Sequence, residues 1–198
     1  LDTIWASSKE DRNGRKDSGT VYVLFGKASL ASSQELSVET AAGYDLRIEG
    51  ATAGDLLGIR MLGMGDVNGD GVEDVVVSAV LADNNGRADS GSLYVIFGRP
   101  TWTQTVWDLS APGGFDLRID GAAAGDFFGF TYTVGDLNGD GIGDLAITAL
   151  LTDFNARPSS GSLYIVYGRT AWAASTIDMA AAAPTLFDAR FDGATAFD

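Results

Sequence analysis

The chain has 198 residues, 45% of them hydrophobic, so it can bury a core and is not expected to be disordered. Its 27 acidic and 13 basic residues give a net charge of -14, which argues against a nucleic-acid partner because phosphate binding requires clustered Lys and Arg. Cys and His are both missing, which excludes disulfides, the usual zinc sites and imidazole acid–base catalysis. No run of about 18 apolar residues is present, so no membrane span is predicted.

A unit of about 71 residues repeats along the chain. Each unit contains one segment that begins with Ser-Gly and ends in an aromatic residue and Gly, and a second segment built around Asp-X-Arg. These segments begin at Ser18, Ser90 and Ser160 and at Tyr44, Phe115 and Phe187. We therefore divide the chain into a partial unit at 1–50, complete units at 51–121 and 122–193, and the start of a further unit at 194–198.

Four strands are predicted in a complete unit, separated by turn-forming residues such as Asn84-Asn85-Gly86. In chain order they are Gly58–Gly65, Asp74–Val80, Ser92–Phe97 and Phe115–Ile119. A four-stranded antiparallel sheet cannot bury both faces alone, so neighbouring sheets must stack, and radial stacking of such sheets gives a β-propeller. The predicted fold class is therefore all-β, with about three propeller blades in an incomplete ring.

One nine-residue loop occurs twice between the first and second predicted strands, at 66–74 and at 136–144. Oxygen-bearing side chains occupy loop positions 1, 3, 5 and 9, and Gly at position 6 permits a turn with positive φ. The twelve-residue helix-loop-helix calcium site would need Glu at position 12, where this chain has Val77 and Ile147. An Asx-Gly turn without metal is the alternative, but three carboxylates within nine residues would repel one another without a cation.

The loops therefore predict two Ca²⁺ sites, each completed by a backbone carbonyl at loop position 7. The candidate ligands are Asp66, Asn68, Asp70, the Val72 carbonyl and Asp74, and Asp136, Asn138, Asp140, the Ile142 carbonyl and Asp144. Asp2 aligns with Asp74 and Asp144, since each precedes the Ser of the next strand by the same interval. A third calcium loop is thus predicted to end at Asp2, with its earlier positions outside the sequence.

Tryptophans lie between the third and fourth strands, where a sugar-binding protein would present stacking surfaces. Trp102, Trp107 and Trp172 are interpreted as apolar cover for an outer strand, because the first unit has Leu30 and Leu36 in this stretch. Sugar binding by these rings is the alternative.

Two polar motifs also repeat with the unit. Arg47, Arg118 and Arg190 each stand beside acidic residues, which predicts a cross-strand or inter-blade ion pair rather than a phosphate site. The sequences Asn-Gly-Arg at 13–15 and 85–87 occupy equivalent hairpin tips and are interpreted as turn chemistry, with ligand binding as the alternative.

The pattern resembles the FG-GAP repeat, the unit of the integrin α-subunit β-propeller that also occurs in bacterial surface proteins. The resemblance rests on Phe128-Gly129, its variant Leu57-Gly58, the two acidic loops and the strands that end in an aromatic residue and Gly. It implies that the loops hold calcium on one propeller face, with the ligands already named. The Gly-Ala-Pro of the family name is replaced by Ser78-Ala79-Val80, so that turn is built differently.

The resemblance and the loops together predict a calcium-stabilised extracellular or cell-surface module for adhesion or for binding a protein or glycan, within a larger surface or secreted protein. One alternative is a structural protomer of a filament, lattice or sheath made of further copies of itself. Another is a non-catalytic part of a secreted hydrolase. No enzyme activity is predicted, because His, Cys and a nucleophile-elbow Ser are missing. Unit alignment further predicts that the chain continues into more repeats or that several copies complete one another.

Overall fold

The computed structural model describes residues 2–26, 38, 43–60, 62–181 and 187–197. These residues form thirteen β-strands. The strands are β1 (Thr3–Ser7), β2 (Thr20–Leu24), β3 (Leu46–Glu49), β4 (Leu62–Gly65), β5 (Asp74–Ala79), β6 (Ser92–Ile96), β7 (Val106–Asp108), β8 (Leu117–Asp120), β9 (Phe128–Gly135), β10 (Asp144–Ala149), β11 (Ser162–Val166), β12 (Thr176–Asp178) and β13 (Ala189–Asp192). No helix long and apolar enough to cross a membrane occurs in this part of the chain.

The strands form three sheets, which we call blades 1, 2 and 3, and the described residues do not close a ring. The strand orders are β1-β2-β3-β7 in blade 1, β4-β5-β6-β8-β12 in blade 2 and β9-β10-β11-β13 in blade 3. The predicted antiparallel pairing is confirmed within every blade. The first predicted strand of blade 2 is shorter than expected, because Gly58–Arg60 form turns before β4 begins.

An outer strand that the sequence did not predict is added to two blades. Strand β7 lies between β6 and β8 in sequence, yet it pairs in parallel with β3 of blade 1. Strand β12 pairs in parallel with β8 of blade 2 in the same way. Each of these blades therefore receives its outermost strand from the unit that follows it in the chain.

Hydrophobic cores lie between adjacent blades, and strand β5 contributes to both of them. Val75 and Val77 pack into the core shared with blade 1, whereas Val76 packs into the core shared with blade 3. Successive side chains of a strand point to opposite faces, so an uninterrupted apolar run belongs in a sheet that is covered on both sides. All six residues of β5 are accordingly buried.

The Phe-Gly motif docks each blade on the one before it. The Phe128 N–H donates to the Ser90 carbonyl at 3.0 Å, and the Leu57 N–H donates to the Ser18 carbonyl at the same distance. A Cβ at Gly91 would lie 2.2 Å from the Phe128 carbonyl oxygen, so only Gly allows this approach. Three residues used in the sequence analysis lie outside the described residues. They are Leu30 and Leu36, and Asp198 at the end of the segment 194–198.

Candidate metal centre

Each acidic loop joins the innermost strand of a blade to its neighbour. The first loop connects β4 to β5, and the second connects β9 to β10. Asp66 and Asp136 follow the end of the inner strand directly, and Asp74 and Asp144 begin the next strand. The predicted ligands are therefore placed on equivalent turns of blades 2 and 3.

Asp66 organises the first loop by accepting backbone hydrogen bonds. Its Oδ1 accepts from the N–H groups of Gly69 (2.7 Å) and Asp70 (3.1 Å), and its Oδ2 accepts from the Gly71 N–H (2.8 Å). Gly71 has a φ of 85°, which is the positive value expected at loop position 6. One carboxylate thus accepts from three backbone donors of the turn.

The middle of the loop is held by two further side chains. The Asp70 N–H donates to Asn68 Oδ1 (2.9 Å), and the Val72 N–H donates to Asp70 Oδ1 (2.8 Å). Asn68 Nδ2 in turn donates to Asp70 Oδ2 (3.0 Å). These oxygens are exposed at the tip of the loop, and each keeps lone-pair capacity beyond its bond to the backbone.

The second loop repeats this arrangement bond for bond. Asp136 accepts from the N–H groups of Gly139 (2.6 Å), Asp140 (3.1 Å) and Gly141 (2.9 Å). Asn138 and Asp140 make the same pair of contacts as their counterparts in the first loop. The two loops have different side chains at positions 2, 7 and 8. The shared geometry therefore follows from the Asp, Asn and Gly residues that both loops contain.

Asp74, at loop position 9, is fully buried and ties the loop to a different strand. Its Oδ2 accepts from the Val67 N–H (2.9 Å), and its Oδ1 accepts from the Gly98 N–H beyond the end of β6 (2.8 Å). Burial raises the pKa of Asp74 to about 6, and the nearby charges of Asp66 and Asp70 add to that rise. This carboxylate therefore has a structural function that the sequence did not reveal.

The Asp at loop position 9 accepts an equivalent backbone hydrogen bond in all three units. Asp144 Oδ2 accepts from the Leu137 N–H (2.8 Å), and its Oδ1 accepts from the Gly168 N–H (2.9 Å). Asp2 Oδ1 accepts from the Gly26 N–H (2.6 Å), which is the equivalent bond in blade 1. The structure thus places Asp2 where the unit alignment predicted it, in contact with the Gly that follows strand β2.

The chemistry of the loops fits a hard divalent cation. Every candidate donor is an oxygen, which is the ligand type that Ca²⁺ takes. Among the ion pairs of the described residues, none includes a carboxylate of either loop, so no Arg or Lys in this part of the chain forms an ion pair with these carboxylates. The described residues also contain no group of three or more acidic side chains gathered closely enough to hold a metal ion. Calcium binding at these loops stays a prediction.

The other repeated motifs have structural partners. Trp107 lies on β7 and is 7% exposed, and Trp102 and Trp172 are partly buried against the two cores. The repeated Arg side chains form ion pairs within their own strand rather than across strands, as Arg47 does with Glu49 (2.7 Å). Arg118 and Arg190 pair in the same way with the acidic residue two positions later.

Comparison with known proteins places this geometry in a family. Residues 128–166 match the family model of the FG-GAP repeat. Integrin alpha-PS2 of Drosophila melanogaster is 33% identical over 132 residues, which are 61% of this chain and 8% of that protein. The chain therefore contains an FG-GAP repeat. The matched segment is blade 3 from its Phe-Gly motif to the end of β11, and it includes the second acidic loop.

A second group of relatives carries a different name. Phosphatidylinositol-glycan-specific phospholipase D of Rattus norvegicus is 32% identical over 136 residues, which are 65% of this chain and 14% of that protein. The Mus musculus protein of the same name is 34% identical over 108 residues, 52% of this chain and 12% of that protein. The FG-GAP chain therefore spans a small part of each relative. Together the family and the relatives support an extracellular β-propeller module.

Proposed function

We propose that this FG-GAP chain is a calcium-stabilised interaction module of a larger surface or secreted protein, acting in adhesion or in binding a protein or glycan. The observation that carries the proposal is the acidic loop itself. It occurs twice with the same hydrogen bonds, and its carboxylates have no cationic side-chain partner among the described residues. Asp66, Asn68, Asp70 and Asp74 would hold the ion in blade 2, together with the Val72 carbonyl. A bound Ca²⁺ would supply the positive charge that these carboxylates lack.

Affinity in the range of extracellular modules is expected, with a dissociation constant on the order of 10⁻⁴ to 10⁻³ M. Such sites fill where calcium is abundant, which supports an extracellular or cell-surface location. Since a ligand that binds only the folded state stabilises it, added calcium should raise the melting temperature and a chelator should lower it.

Isothermal titration calorimetry with CaCl₂ tests the ligand assignment. Asp70→Asn keeps an oxygen to accept the Val72 N–H but removes one negative charge, so we expect the affinity of that loop to fall about tenfold or more. The matched control is Glu73→Gln, because Glu73 is exposed and the second loop has Gly143 at that position. Equal weakening by both substitutions, or a melting temperature that ignores calcium and chelator alike, would contradict the proposal.

Asp74 is unsuitable as a diagnostic position, because it accepts bonds from Val67 and Gly98 whether or not an ion is bound. We expect Asp74→Asn to lower stability even in excess chelator, whereas Asp70→Asn should not destabilise the chelated protein, because it removes one of the mutually repelling charges. Chemical unfolding of both variants in chelator separates the structural function of the loop from metal binding.

A non-catalytic role is part of the proposal. The chain has no His or Cys, and the matched part of the phospholipase D relatives is 14% or less of their length. We expect no hydrolysis of phosphodiester substrates by the purified chain, and a calcium-dependent turnover that Asp70→Asn abolishes would overturn this point.

Assembly into a filament or lattice is a second candidate, favoured by the exposed apolar side of blade 3. Leu150 and Phe191 are 40% and 61% exposed, and they line an open cavity of about 360 Å³ with Leu163. Electron microscopy with sedimentation analysis distinguishes the two functions. Ordered polymers would favour assembly, and discrete particles would favour an interaction module.

A further inference from the structure

The segments that follow β6 and β11 correspond residue by residue, with Gly98 equivalent to Gly168. Three equivalent pairs in these segments are Arg99 and Arg169, Trp102 and Trp172, and Trp107 and Ile177. The unit 51–121 therefore has an indole ring at a position where the unit 122–193 has a smaller aliphatic side chain.

The three residues of the unit 51–121 pack against one another. The rings of Trp102 and Trp107 meet edge to face, with their centroids 6.0 Å apart. The guanidinium carbon of Arg99 lies 4.5 Å from the centroid of Trp107 and 5.3 Å from that of Trp102. Trp102 also stacks on Phe25 at 5.8 Å. Arg99 is thus held against two indoles.

Trp172 has fewer neighbours than Trp102. The guanidinium carbon of Arg169 lies 5.1 Å from its centroid, so the cation–π contact is preserved. Within the part of the chain that the structure describes, Trp172 contacts no aromatic ring. The Trp and Arg of the packed arrangement are therefore present in the unit 122–193 without the second indole.

The space beside Trp172 is a cavity of about 350 Å³, which Arg169 also lines. This volume is within the range of about 300–1,000 Å³ that is typical of ligand pockets. Three lining residues are smaller than their counterparts in the unit 51–121: Ala173 replaces Thr103, Ala174 replaces Gln104, and Ile177 replaces Trp107. We call this space, lined by Arg169, Trp172, Ala173, Ala174 and Ile177, the ring cavity.

The strand that carries Ile177 is fixed by backbone hydrogen bonds. Ile177 lies in the middle of β12, which pairs in parallel with β8. On one side of it the Arg118 N–H donates to the Ser175 carbonyl (2.8 Å), and on the other the Met179 N–H donates to the Asp120 carbonyl (3.0 Å). Because these bonds hold the strand in place, it does not shift inward to fill the space that a smaller side chain leaves.

The residue after Ile177 also lines the ring cavity and is held on blade 2. Asp178 accepts from Arg87 Nη2 (2.6 Å) and from Asn85 Nδ2 (2.7 Å) at the hairpin tip. Asp108 of the preceding unit is held in the same way by the Asn and Arg of 13–15. The rim of the cavity is therefore as firmly positioned as the equivalent part of the unit 51–121.

Arg169 is already oriented toward the ring cavity's aromatic wall. Its Nε donates to the Tyr167 carbonyl (3.0 Å), and its Nη2 donates to Asp188 Oδ2 (2.8 Å). A guanidinium attracts the electron-rich face of an aromatic ring, an attraction that an aliphatic group does not offer. Charge complementarity thus favours an aromatic occupant, and little ordering of Arg169 is needed when the occupant binds.

We propose that the ring cavity binds a Trp or Tyr side chain of a protein partner, between Trp172 and Arg169. The same chain fills the equivalent space with an indole, which shows that a ring of this size is compatible with the surrounding Trp and Arg. Aromatic side chains that fill such pockets supply much of the binding energy of protein interfaces. The inference rests on the proposed interaction function, and the ring cavity contains no residue of either acidic loop.

The probe is the capped tripeptide Gly-Trp-Gly, titrated into the ¹⁵N-labelled chain at constant calcium. We expect amide shift changes within 169–181. The capped tripeptide Gly-Leu-Gly should bind about tenfold more weakly, because it lacks the ring. Ile177→Trp fills the cavity and should abolish binding, and Arg169→Gln should weaken it about threefold to tenfold.

The unit 51–121 supplies two matched controls. Arg99→Gln should leave tripeptide binding unchanged, because the space beside Arg99 is already filled by Trp107. Replacing Thr103 and Gln104 by Ala together with Trp107→Ile should reproduce the ring cavity in this unit. That variant should have a lower melting temperature and bind a second Gly-Trp-Gly, with new shift changes within 99–111.

Several outcomes would overturn the proposal: no shift changes at millimolar Gly-Trp-Gly, equal binding of Gly-Leu-Gly, or unchanged binding to the Ile177→Trp variant. Shift changes centred on Asn68 and Asp70 would also overturn it, because a second cavity of about 440 Å³ adjoins Trp172 there. So would binding of free indole without binding of the tripeptide, since the ligand would then be a small aromatic molecule. Binding retained in a protein whose melting temperature ignores calcium would support the ring cavity and contradict only the calcium-stabilised function.

Discussion

Asp55 offers a test of how the blades are packed, because it is a buried acid outside the two acidic loops. Its side chain is 3% exposed, in the turn that precedes β4. Burial raises its pKa from the ordinary 3.8 to about 7, hydrogen bonds from Thr52 partly oppose this rise, and the charge of Asp83 adds to it. The folded protein therefore keeps a proton on Asp55 at pH values where the unfolded chain has lost it.

The sign of the pH effect follows from proton binding. Between about pH 4 and pH 7 the unfolded state releases the Asp55 proton more readily, so the free energy of unfolding falls as the pH rises. A difference of about three pKa units corresponds to about 4 kcal/mol, as an upper value for this one group. Asp55→Asn cannot titrate, so it should lose this part of the pH dependence.

Urea unfolding at pH 5 and pH 8, at constant calcium, measures the effect. The wild-type chain should lose about 3 kcal/mol more than Asp55→Asn between these two pH values, because about two of the three pKa units lie above pH 5. Asp126, whose pKa is also raised mainly by burial, remains in both proteins and cancels in the comparison. The reasoning is refuted if the two proteins show the same pH dependence, or if the wild type gains stability relative to the variant as the pH rises.

Four residues with positive φ give further expectations. Ala156→Gly should raise the free energy of unfolding by about 0.5–1 kcal/mol, because Ala has a φ of 60° there, and Gly86→Ala at the equivalent tip should lower it by a similar amount. Calorimetric melting of both variants checks the opposite signs. Gly91→Ala should cost more than about 3 kcal/mol, because its Cβ would clash with the Phe128 carbonyl, whereas Gly113→Ala, with a similar φ and open space, should cost about 1 kcal/mol. If urea unfolding showed similar losses of unfolding free energy for Gly91→Ala and Gly113→Ala, the two blades would have to move apart easily to accept the added Cβ at Gly91.

The parts of the fold that were predicted correctly are those in which a short pattern determines the structure. The run Val75-Val76-Val77 lies in the predicted strand Asp74–Val80, and the structure gives each face of that strand a blade to pack against. The acidic loops predicted turns because Asp66 and Gly71 supply, within six residues, both the acceptor and the positive φ that such a turn needs. Repetition strengthened both predictions, since the same residues recur in each unit.

Strands β7 and β12 were missed because a three-residue strand has no periodicity to detect. Their pairing partners, β3 and β8, lie about 60 residues earlier in the chain, and nothing local indicates a parallel contact at that distance. Trp107 was interpreted as apolar cover, which agrees with its burial, but its membership of a strand of the preceding blade depends on the assembled sheets. The Asn–Arg hairpin tips were likewise interpreted as turns, although their side chains also hold the Asp of that strand.

Position 9 of the acidic loop shows why a motif and its function can be separated. Asp2, Asp74 and Asp144 each accept a hydrogen bond from the N–H of the Gly that follows β2, β6 or β11. The fold therefore requires an acceptor at this position in every unit. The acid at this position would be needed for folding even in a unit that binds no metal. The side chains at positions 1, 3 and 5 bond only within the loop, and the carboxylates at positions 1 and 5 are the groups whose charge a cation would compensate. The calcium prediction is therefore best tested at positions near Asp70, and the contribution of the loop to blade stability at Asp74.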